Sequence, residues 1–264
     1  MDKQIISYYL KKLGLYKPIR NIYNSIGRYN KQTEILIDNN KIQFWTPTYY
    51  LDDYVKNLAG EGQFLNEILL KLDKHNIFWD VGANVGFYSI AAAKIMNTNS
   101  KIFAFEPEPK TFNLLQKNIE LNKTNNITAL SIALGDIDGD KLIYPSDTPN
   151  FGAHSFVQRT DYRVKKKGKN ISINTADTLI EEMKIDVPDV MKIDVEGAEI
   201  LVLRGMKHLL MNQKLKMIFC ETHVNLLPLF GSSEEEVLEI FKGNNFHIDY
   251  CLNRSNQNQY IFTR

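Results

Sequence analysis

The sequence predicts an α/β fold with a mostly parallel sheet and helices on both of its faces. From residue 77 onward, short apolar segments alternate with helix-forming segments, which favours parallel strands joined by right-handed crossovers. The chain has 264 residues, of which 44% are hydrophobic, enough for one such domain with an N-terminal extension. Ligands of these folds lie at the carboxyl ends of the strands, so functional residues are expected there.

An extension over residues 1–58 precedes the predicted domain at 59–264. Its first half has helical character, and the apolar runs 34–37 and 41–45 flank a turn signal that predicts a hairpin. The segment 5–26 mixes apolar and basic residues. It therefore caps the domain, contacts a second copy of the chain, or lies on an anionic membrane surface as a peripheral contact.

A glycine turn after the first core strand, 77–79, is the strongest functional signal. Asp80, Gly82, Asn84 and Gly86 follow this strand and precede a helix-forming stretch. Such a turn lets a nucleotide-sized ligand approach the backbone at the helix N-terminus. Dinucleotide sites use G-x-G-x-x-G, but Asn84 replaces the middle glycine and Asp80 would repel a diphosphate. An acidic turn suits a cationic ligand, and S-adenosylmethionine carries an ammonium and a sulfonium.

Two later segments end in carboxylates that suit the adenosine part of such a ligand. Glu106 follows the strand 101–105 roughly 20 residues beyond Gly86, where related folds place a carboxylate on the ribose hydroxyls. Asp136 follows a predicted strand over 127–134 and can accept a hydrogen bond from the adenine amino group. Each also has a structural alternative, because Glu106 could be a surface residue before proline and Asp136 part of a common turn.

The remaining elements follow from apolar spacing and from turn residues. Between about residues 137 and 175 the alternation pauses, and this insertion is expected to shape the ligand end of the sheet. The other predicted elements are the helices 64–72, 111–121, 198–211 and 234–242, and the strands near 190, 216–223, 246–250 and 259–262.

Taken together, the motifs resemble the FkbM-type S-adenosylmethionine-dependent methyltransferases over roughly residues 60–225. The resemblance implies a Rossmann-like class I methyltransferase sheet with an antiparallel last strand, and O-methylation of a sugar or another small molecule. It implies that the turn residues hold the methionine part of the cofactor, Glu106 the ribose and Asp136 the adenine. The alternation of strand side chains independently places Asp194 at a strand end, facing the cofactor. The matching motifs are D-V-G-A-N-V-G at 80–86, F-E-P at 105–107, A-L-G-D at 133–136, N-F-G-A-H-S at 150–155 and K-I-D-V-E-G-A-E at 192–199.

Methyl transfer to a hydroxyl needs a group that removes the hydroxyl proton. His223 is the favoured base, because a neutral imidazole is available near pH 7, and Asp194 or Glu221 would orient it. Glu196 and Glu199 could instead only oppose the dipole of the following helix, an interpretation favoured for Glu199. The full set of candidate bases is Asp194, Glu196, Glu221, His223 and His154.

Other functions remain open. Asp194, Glu196, Glu221 and His223 could hold a magnesium ion that binds an acceptor diol, although a metal-free reaction is favoured. A nicotinamide-dependent oxidoreductase would share the strand, turn and acidic residue, but the glycine spacing argues against it. A non-catalytic binding protein could keep the same fold.

Net charge, cysteine content and apolar segments indicate which partners and which cellular location to expect. A net charge of +1 argues against nucleic acid as a partner, which leaves a small-molecule or glycan acceptor. The chain has two cysteines, Cys220 in an apolar run and Cys251, and it shows neither a signal peptide nor an apolar span. These features predict a cytoplasmic protein.

Overall fold

The computed structural model describes residues 32–60, 62–72, 74–144 and 168–264. The predicted N-terminal helical segment and its membrane or self-contacts lie outside these residues. In chain order the elements are β1 (Gln32–Ile37), β2 (Asn40–Trp45), α1 (Tyr49–Gly60), α2 (Gly62–Leu72), β3 (Ile77–Val81), α3 (Phe87–Ile95), β4 (Lys101–Phe105), α4 (Pro109–Asn122), β5 (Ile127–Leu130), β6 (Ile132–Leu134), β7 (Gly139–Ile143), β8 (Lys169–Asn174), α5 (Ala176–Glu181), β9 (Val190–Ile193), α6 (Glu199–Arg204), α7 (Lys207–Met211), β10 (Met217–Thr222), a 3₁₀ turn (Leu227–Phe230), α8 (Glu234–Gly243), β11 (His247–Asn253) and β12 (Asn258–Thr263).

The central sheet has seven strands in the order β11-β12-β10-β9-β3-β4-β5. Neighbours from β10 to β5 are parallel, whereas β12 is antiparallel to both β10 and β11. Successive side chains of a strand point to opposite faces, and Phe78 and Trp79 of β3 are both fully buried in separate clusters. Helices cover both faces, so the predicted fold with its antiparallel last strand is confirmed.

The N-terminal hairpin packs directly on this sheet domain. Asp38 and Asn39 form its turn with left-handed backbone, at φ 44° and 60°. The edge of β2 is covered by α4, because Asn118 accepts the Trp45 N–H at 2.7 Å and Asn122 accepts the Gln43 N–H at 2.9 Å. Hairpin and domain share one buried cluster, and the boundary near residue 58 stays a prediction.

Helix α1 is an element that the sequence analysis missed. Its buried residues Leu51 and Val55 are one helical turn apart, a spacing that could have indicated it. Within the described part of the chain, no helix combines the length and apolar character needed to cross a bilayer.

Two elements that the sequence predicts as continuous are each divided in two in the structure. The segment 127–134 is two strands, because β5 pairs with β4 whereas β6 leaves the central sheet and pairs with β8. The predicted helix over 198–211 breaks at Gly205, where a Cβ would lie 1.8 Å from the Gly135 carbonyl oxygen. The second helix then begins anew, with the Asp177 carboxylate accepting the His208 and Leu209 N–H groups at 2.9 Å.

The predicted insertion is only partly described. Its ends form β7 and β8, which join β6 in a separate three-stranded sheet. Residues 145–167, including His154 and most of the lysine run, lie outside the described residues. Lys169 at the end of that run forms an ion pair with the Glu108 carboxylate.

The turn after β3 packs against the loop after β9 without space for a side chain. Gly82 has φ +77°, and a Cβ there would lie 2.0 Å from the Asp194 carbonyl oxygen. Glycine is therefore required by both the backbone conformation and the contact.

Replacing Gly82 with alanine is expected to lower the free energy of unfolding by about 2–4 kcal/mol, through left-handed strain and overlap. Urea unfolding measures the loss. Gly231→Ala is the matched control, since Gly231 has φ +67° but, apart from its chain neighbours, no described atom lies within 4 Å of its Cβ position. It should lose only about 1–2 kcal/mol. Equal losses would contradict the close packing at Gly82.

Candidate active site

The turn after β3 has the geometry of a ligand-binding loop. The N–H groups of Gly82 and Ala83 donate to the Phe105 carbonyl at 3.1 and 2.9 Å, which ties the turn to the end of β4. Asn84 and Gly86 adopt left-handed backbone at φ 53° and 88°, and α3 begins directly afterwards. The predicted turn residues therefore meet at the carboxyl edge of the sheet.

Asp80 lies at this edge with its side chain completely buried. The Ser89 hydroxyl donates to its Oδ2 at 2.5 Å, whereas Oδ1 has no hydrogen bond to a described residue. Burial raises the pKa of Asp80, and the charge of Lys192 and the Ser89 hydrogen bond partly oppose this rise. A buried carboxylate with an unused acceptor atom fits a cationic ligand such as the methionine ammonium.

Glu106 follows β4 and is 6% exposed. Its two oxygens accept backbone N–H groups from Asn84 at 3.0 Å and from Glu108 at 2.9 Å. Burial raises its pKa to about 7, against those two hydrogen bonds. Since each carboxylate oxygen has a further lone pair, Glu106 can join the two loops and still accept a ribose hydroxyl.

Asp136 is exposed after β6, outside the central sheet. The sequence prediction for this residue, contact with adenine, remains a prediction.

Lys192 of β9 connects the turn to the next strand end, a role that the sequence analysis did not assign. Its Nζ lies 3.1 Å from Asp194 Oδ2, 3.6 Å from Asp80 Oδ1 and 4.8 Å from the centre of the Tyr88 ring. Burial alone would lower the pKa of Lys192, but Asp194 and Asp80 raise it above its ordinary value. The side chain therefore stays an ammonium between two carboxylates.

His223 lies just after β10 with its side chain 7% exposed. Its Nδ1 hydrogen-bonds Glu199 Oε1 at 2.8 Å, and its Nε2 lies 3.7 Å from Glu196 and 3.8 Å from Glu221. Burial alone would lower the pKa of His223, but the hydrogen bond and charge of Glu199, with other carboxylates nearby, raise it to about 10. The expectation of a neutral imidazole near pH 7 is therefore wrong for the ligand-free protein.

Glu199 is the second residue whose role was missed. Its side chain is fully buried, and Oε1 also accepts the Gly197 N–H at 3.0 Å. It stands at the start of α6, as the dipole interpretation requires, but it also holds the His223 ring. Nothing in the local sequence pairs Glu199 with a residue in another strand loop.

Asp194 and Glu221 complete the cluster beside His223. Burial tends to raise the pKa of Asp194, but Lys192 and His223 lower it below its usual range. Burial and the charge of Asp194 raise the pKa of Glu221 to about 7, although Gln259 donates to it at 2.8 Å. Single ligand atoms of Asp194, Glu221 and His223 lie within 4.8 Å of one another.

Backbone strain is found in the two loops that meet here. Asn84 and Glu196 are non-glycine residues with φ 53° and 54°, one in the turn after β3 and one after β9. Left-handed backbone at such residues persists where surrounding contacts hold it, and it is common at functional sites.

Comparison with known proteins gives a consistent result. A family model described as the methyltransferase FkbM domain matches residues 80–248. The hexuronic acid methyltransferase AglP of Haloferax volcanii is 31% identical over 175 residues, 66% of this chain and 67% of that protein. Methyltransferase 1 of Beauveria bassiana is 28% identical over 142 residues, 48% of this chain and 57% of that protein.

Among solved structures, fibrillarin of Aeropyrum pernix, in complex with S-adenosyl-L-methionine, aligns over 91% of this chain and 86% of that chain. Its identity of 10% and TM-score of 0.49 are too low to bear on function.

The matched family region begins at Asp80 and includes Glu106, Asp194, Glu221 and His223, the residues whose geometry is described above. The family confirms the predicted reaction class, and it supports S-adenosylmethionine as the methyl donor. This chain belongs to the FkbM methyltransferase family, because the family model matches residues 80–248 and a curated methyltransferase is 31% identical to it.

Proposed function

We propose that the chain transfers a methyl group from S-adenosylmethionine to a hydroxyl of a sugar or glycan. The observation that carries this proposal is the position of Lys192, whose Nζ lies 3.6 Å from Asp80 and 3.1 Å from Asp194. Through it, the turn suited to the cofactor adjoins the strand ends that carry candidate proton acceptors. A donor and an acceptor held at these two places would be next to each other, as methyl transfer requires.

On the cofactor side, the turn residues Gly82, Asn84 and Gly86 would line the methionine part. Asp80 Oδ1, buried and without a hydrogen bond to a described residue, would accept the methionine ammonium. Glu106 would accept the ribose hydroxyls and Asp136 the adenine amino group. S-adenosylmethionine, when bound, supplies an electrophilic methyl carbon with a neutral thioether as leaving group.

On the acceptor side, the chain would orient one hydroxyl and take its proton. The new O–C bond forms as the C–S bond breaks, its electron pair stays on sulfur, and the proton passes to a carboxylate. Asp194, Glu196 and Glu221 lie around the place proposed for the acceptor hydroxyl. Burial and the charge of Asp194 raise the pKa of Glu221 to about 7. His223 would orient the acceptor rather than act as base, because it already carries a proton.

The charge of the site supports a hydroxyl over a carboxylate as the methylated group. Carboxylates at this edge outnumber the ammonium of Lys192 and the ring of His223, so a carboxylate acceptor would be repelled. A hydroxyl, by contrast, donates its proton to a carboxylate. The relative from Haloferax volcanii is named for hexuronic acid, which supports a sugar as the acceptor but does not choose between its hydroxyls and its carboxylate.

The competing functions now differ in support. Membership of a methyltransferase family argues against a nicotinamide-dependent oxidoreductase. A non-catalytic relative that binds the cofactor would retain the Asp80 turn but would show no transfer in the assays below.

Neutralising Asp80 is expected to weaken binding of S-adenosylhomocysteine about 10- to 100-fold, since a charge-assisted hydrogen bond contributes about 1.5–3 kcal/mol. Calorimetry on Asp80→Asn measures this loss. Asp249→Asn is the control, because Asp249 lies on the edge strand β11 in an exposed pair with Lys71. Unchanged affinity in a folded Asp80→Asn protein would remove Asp80 from the cofactor site.

Labelled S-adenosylmethionine should transfer its methyl group to a glycan or sugar from a panel that includes hexuronic acids, neutral sugars and nucleotides. The product should be an ether that survives mild base, whereas a methyl ester would hydrolyse. Mass spectrometry of the products distinguishes these outcomes. A base-labile ester or a methylated nucleobase would contradict the sugar-hydroxyl assignment.

Glu221→Gln should reduce kcat/KM with that acceptor by about 100-fold or more, as expected for loss of a proton acceptor at the reacting group. Its binding of S-adenosylhomocysteine should stay within about threefold of the unaltered chain, a change of under 1 kcal/mol. Glu181→Gln is the matched control, since Glu181 pairs with His208 on the surface with both side chains mostly exposed. Equal activity of the two variants would contradict the role of Glu221.

A further inference from the structure

The cluster beside Lys192 has the composition of a metal site. Asp194 follows β9, whereas Glu221 and His223 lie at the end of its parallel neighbour β10. We propose that these three side chains bind a divalent transition-metal ion such as Mn²⁺. The inference deepens the proposed function and rests on it for the role of the ion, which is to hold the acceptor oxygens.

The His223 ring is oriented as a metal ligand. Its side chain is 93% buried, since it is 7% exposed, and its Nδ1 is occupied by Glu199 at 2.8 Å. The other nitrogen, Nε2, faces the cluster and makes no hydrogen bond to a described residue, with Glu196 at 3.7 Å and Glu221 at 3.8 Å. A mostly buried ring whose second nitrogen faces carboxylates beyond hydrogen-bond distance is the observation that points to a ligand.

The separations suit ligands around one ion. Ligand atoms about 2.1 Å from an octahedral cation lie about 3.0 Å apart when adjacent and about 4.2 Å apart when opposite. The distance of 3.8 Å between His223 Nε2 and Glu221 falls in this range, and the whole set lies within 4.8 Å. Small side-chain movements would bring all three atoms onto one centre.

A carboxylate behind the histidine supports the same conclusion. Metal-bound histidines usually donate their second N–H to a carboxylate or carbonyl, which fixes the tautomer. Glu199 is in that position and is fully buried. With Nδ1–H donated to Glu199, coordination uses the neutral ring, so the ion replaces the Nε2 proton, which leaves to solvent.

The donor set also indicates the type of ion. Magnesium prefers oxygen ligands alone, whereas a mixture of imidazole and carboxylates suits a first-row transition-metal ion such as Fe²⁺, for which Mn²⁺ is a paramagnetic probe. The magnesium alternative from the sequence is therefore replaced by a softer ion. When bound, such an ion would polarise the acceptor hydroxyl, and Glu196 beside the cluster would then take over from the coordinated Glu221 as the group that receives the proton.

Mn²⁺ binding to the metal-free full-length chain tests the site without cofactor or acceptor. Titration followed by electron paramagnetic resonance should show one bound Mn²⁺ per chain, and electron spin echo envelope modulation should show a nitrogen hyperfine coupling from one imidazole. His223→Gln should abolish that coupling, and Glu221→Gln or Asp194→Asn should weaken binding at least about 10-fold. His208→Gln, which alters an exposed histidine paired with Glu181, should change neither measurement.

Absence of Mn²⁺ binding at millimolar concentration, or a bound ion without nitrogen coupling in the unaltered chain, would overturn the metal site. The nitrogen coupling is measured on the unaltered protein, so this outcome does not depend on whether a variant folds. Methyl transfer that persists in excess chelator would overturn the role of the ion while leaving the proposed function standing. Mn²⁺ binding with no transfer to any acceptor would instead overturn the proposed function and leave the metal site standing.

Discussion

One buried ammonium joins the two parts of this site. Lys192 lies opposite Asp80 in the register of β9 and β3, so adjacent parallel strands place the charges side by side. A buried lysine is costly without partners, and here Asp80 and Asp194 on either side stabilise it as the Tyr88 ring covers it. The same ammonium screens the repulsion between two carboxylates. The remainder of the site is arranged around this contact.

The loops can approach this closely only because their backbones accept unusual conformations. Gly82 lets the β3 turn contact the Asp194 carbonyl, while Asn84 and Glu196 hold left-handed backbone without being glycine. Glu106 then joins the β3 turn to the segment after β4 through two backbone N–H groups. These strained conformations lower local stability but bring the ends of β3, β4 and β9 together. Such an arrangement is typical of sites that hold a ligand between loops.

Local signals in the sequence were sufficient for the parts of the molecule that depend on neighbouring residues. The glycine turn, the acidic ends of β4 and β9, and the alternation of strands and helices follow from short patterns, and the structure contains them. The division of 127–134 could not be predicted, because the pairing partner of β6 is β8, far along the chain. The break at Gly205 likewise depends on the Gly135 carbonyl, which only the folded chain brings near.

The chemistry of the acceptor side was less predictable for the same reason. The sequence shows that His223 is titratable. Its charge, however, depends on the hydrogen bond to Glu199, which is 24 residues away in the chain. Lys192 was visible on the same strand face as Asp194, yet its contact with Asp80 needs the register between two strands. Interactions across strands therefore decide protonation, whereas local pattern decides which residues are available.

A crystal structure with S-adenosylhomocysteine tests the central claim most directly, that the Asp80 turn and the strand-end cluster form one site. The account predicts the amino group of the ligand beside Asp80, the ribose on Glu106, and the sulfur facing Asp194, Glu221 and His223. A ligand bound elsewhere, or one whose sulfur faces away from those three side chains, would contradict the account.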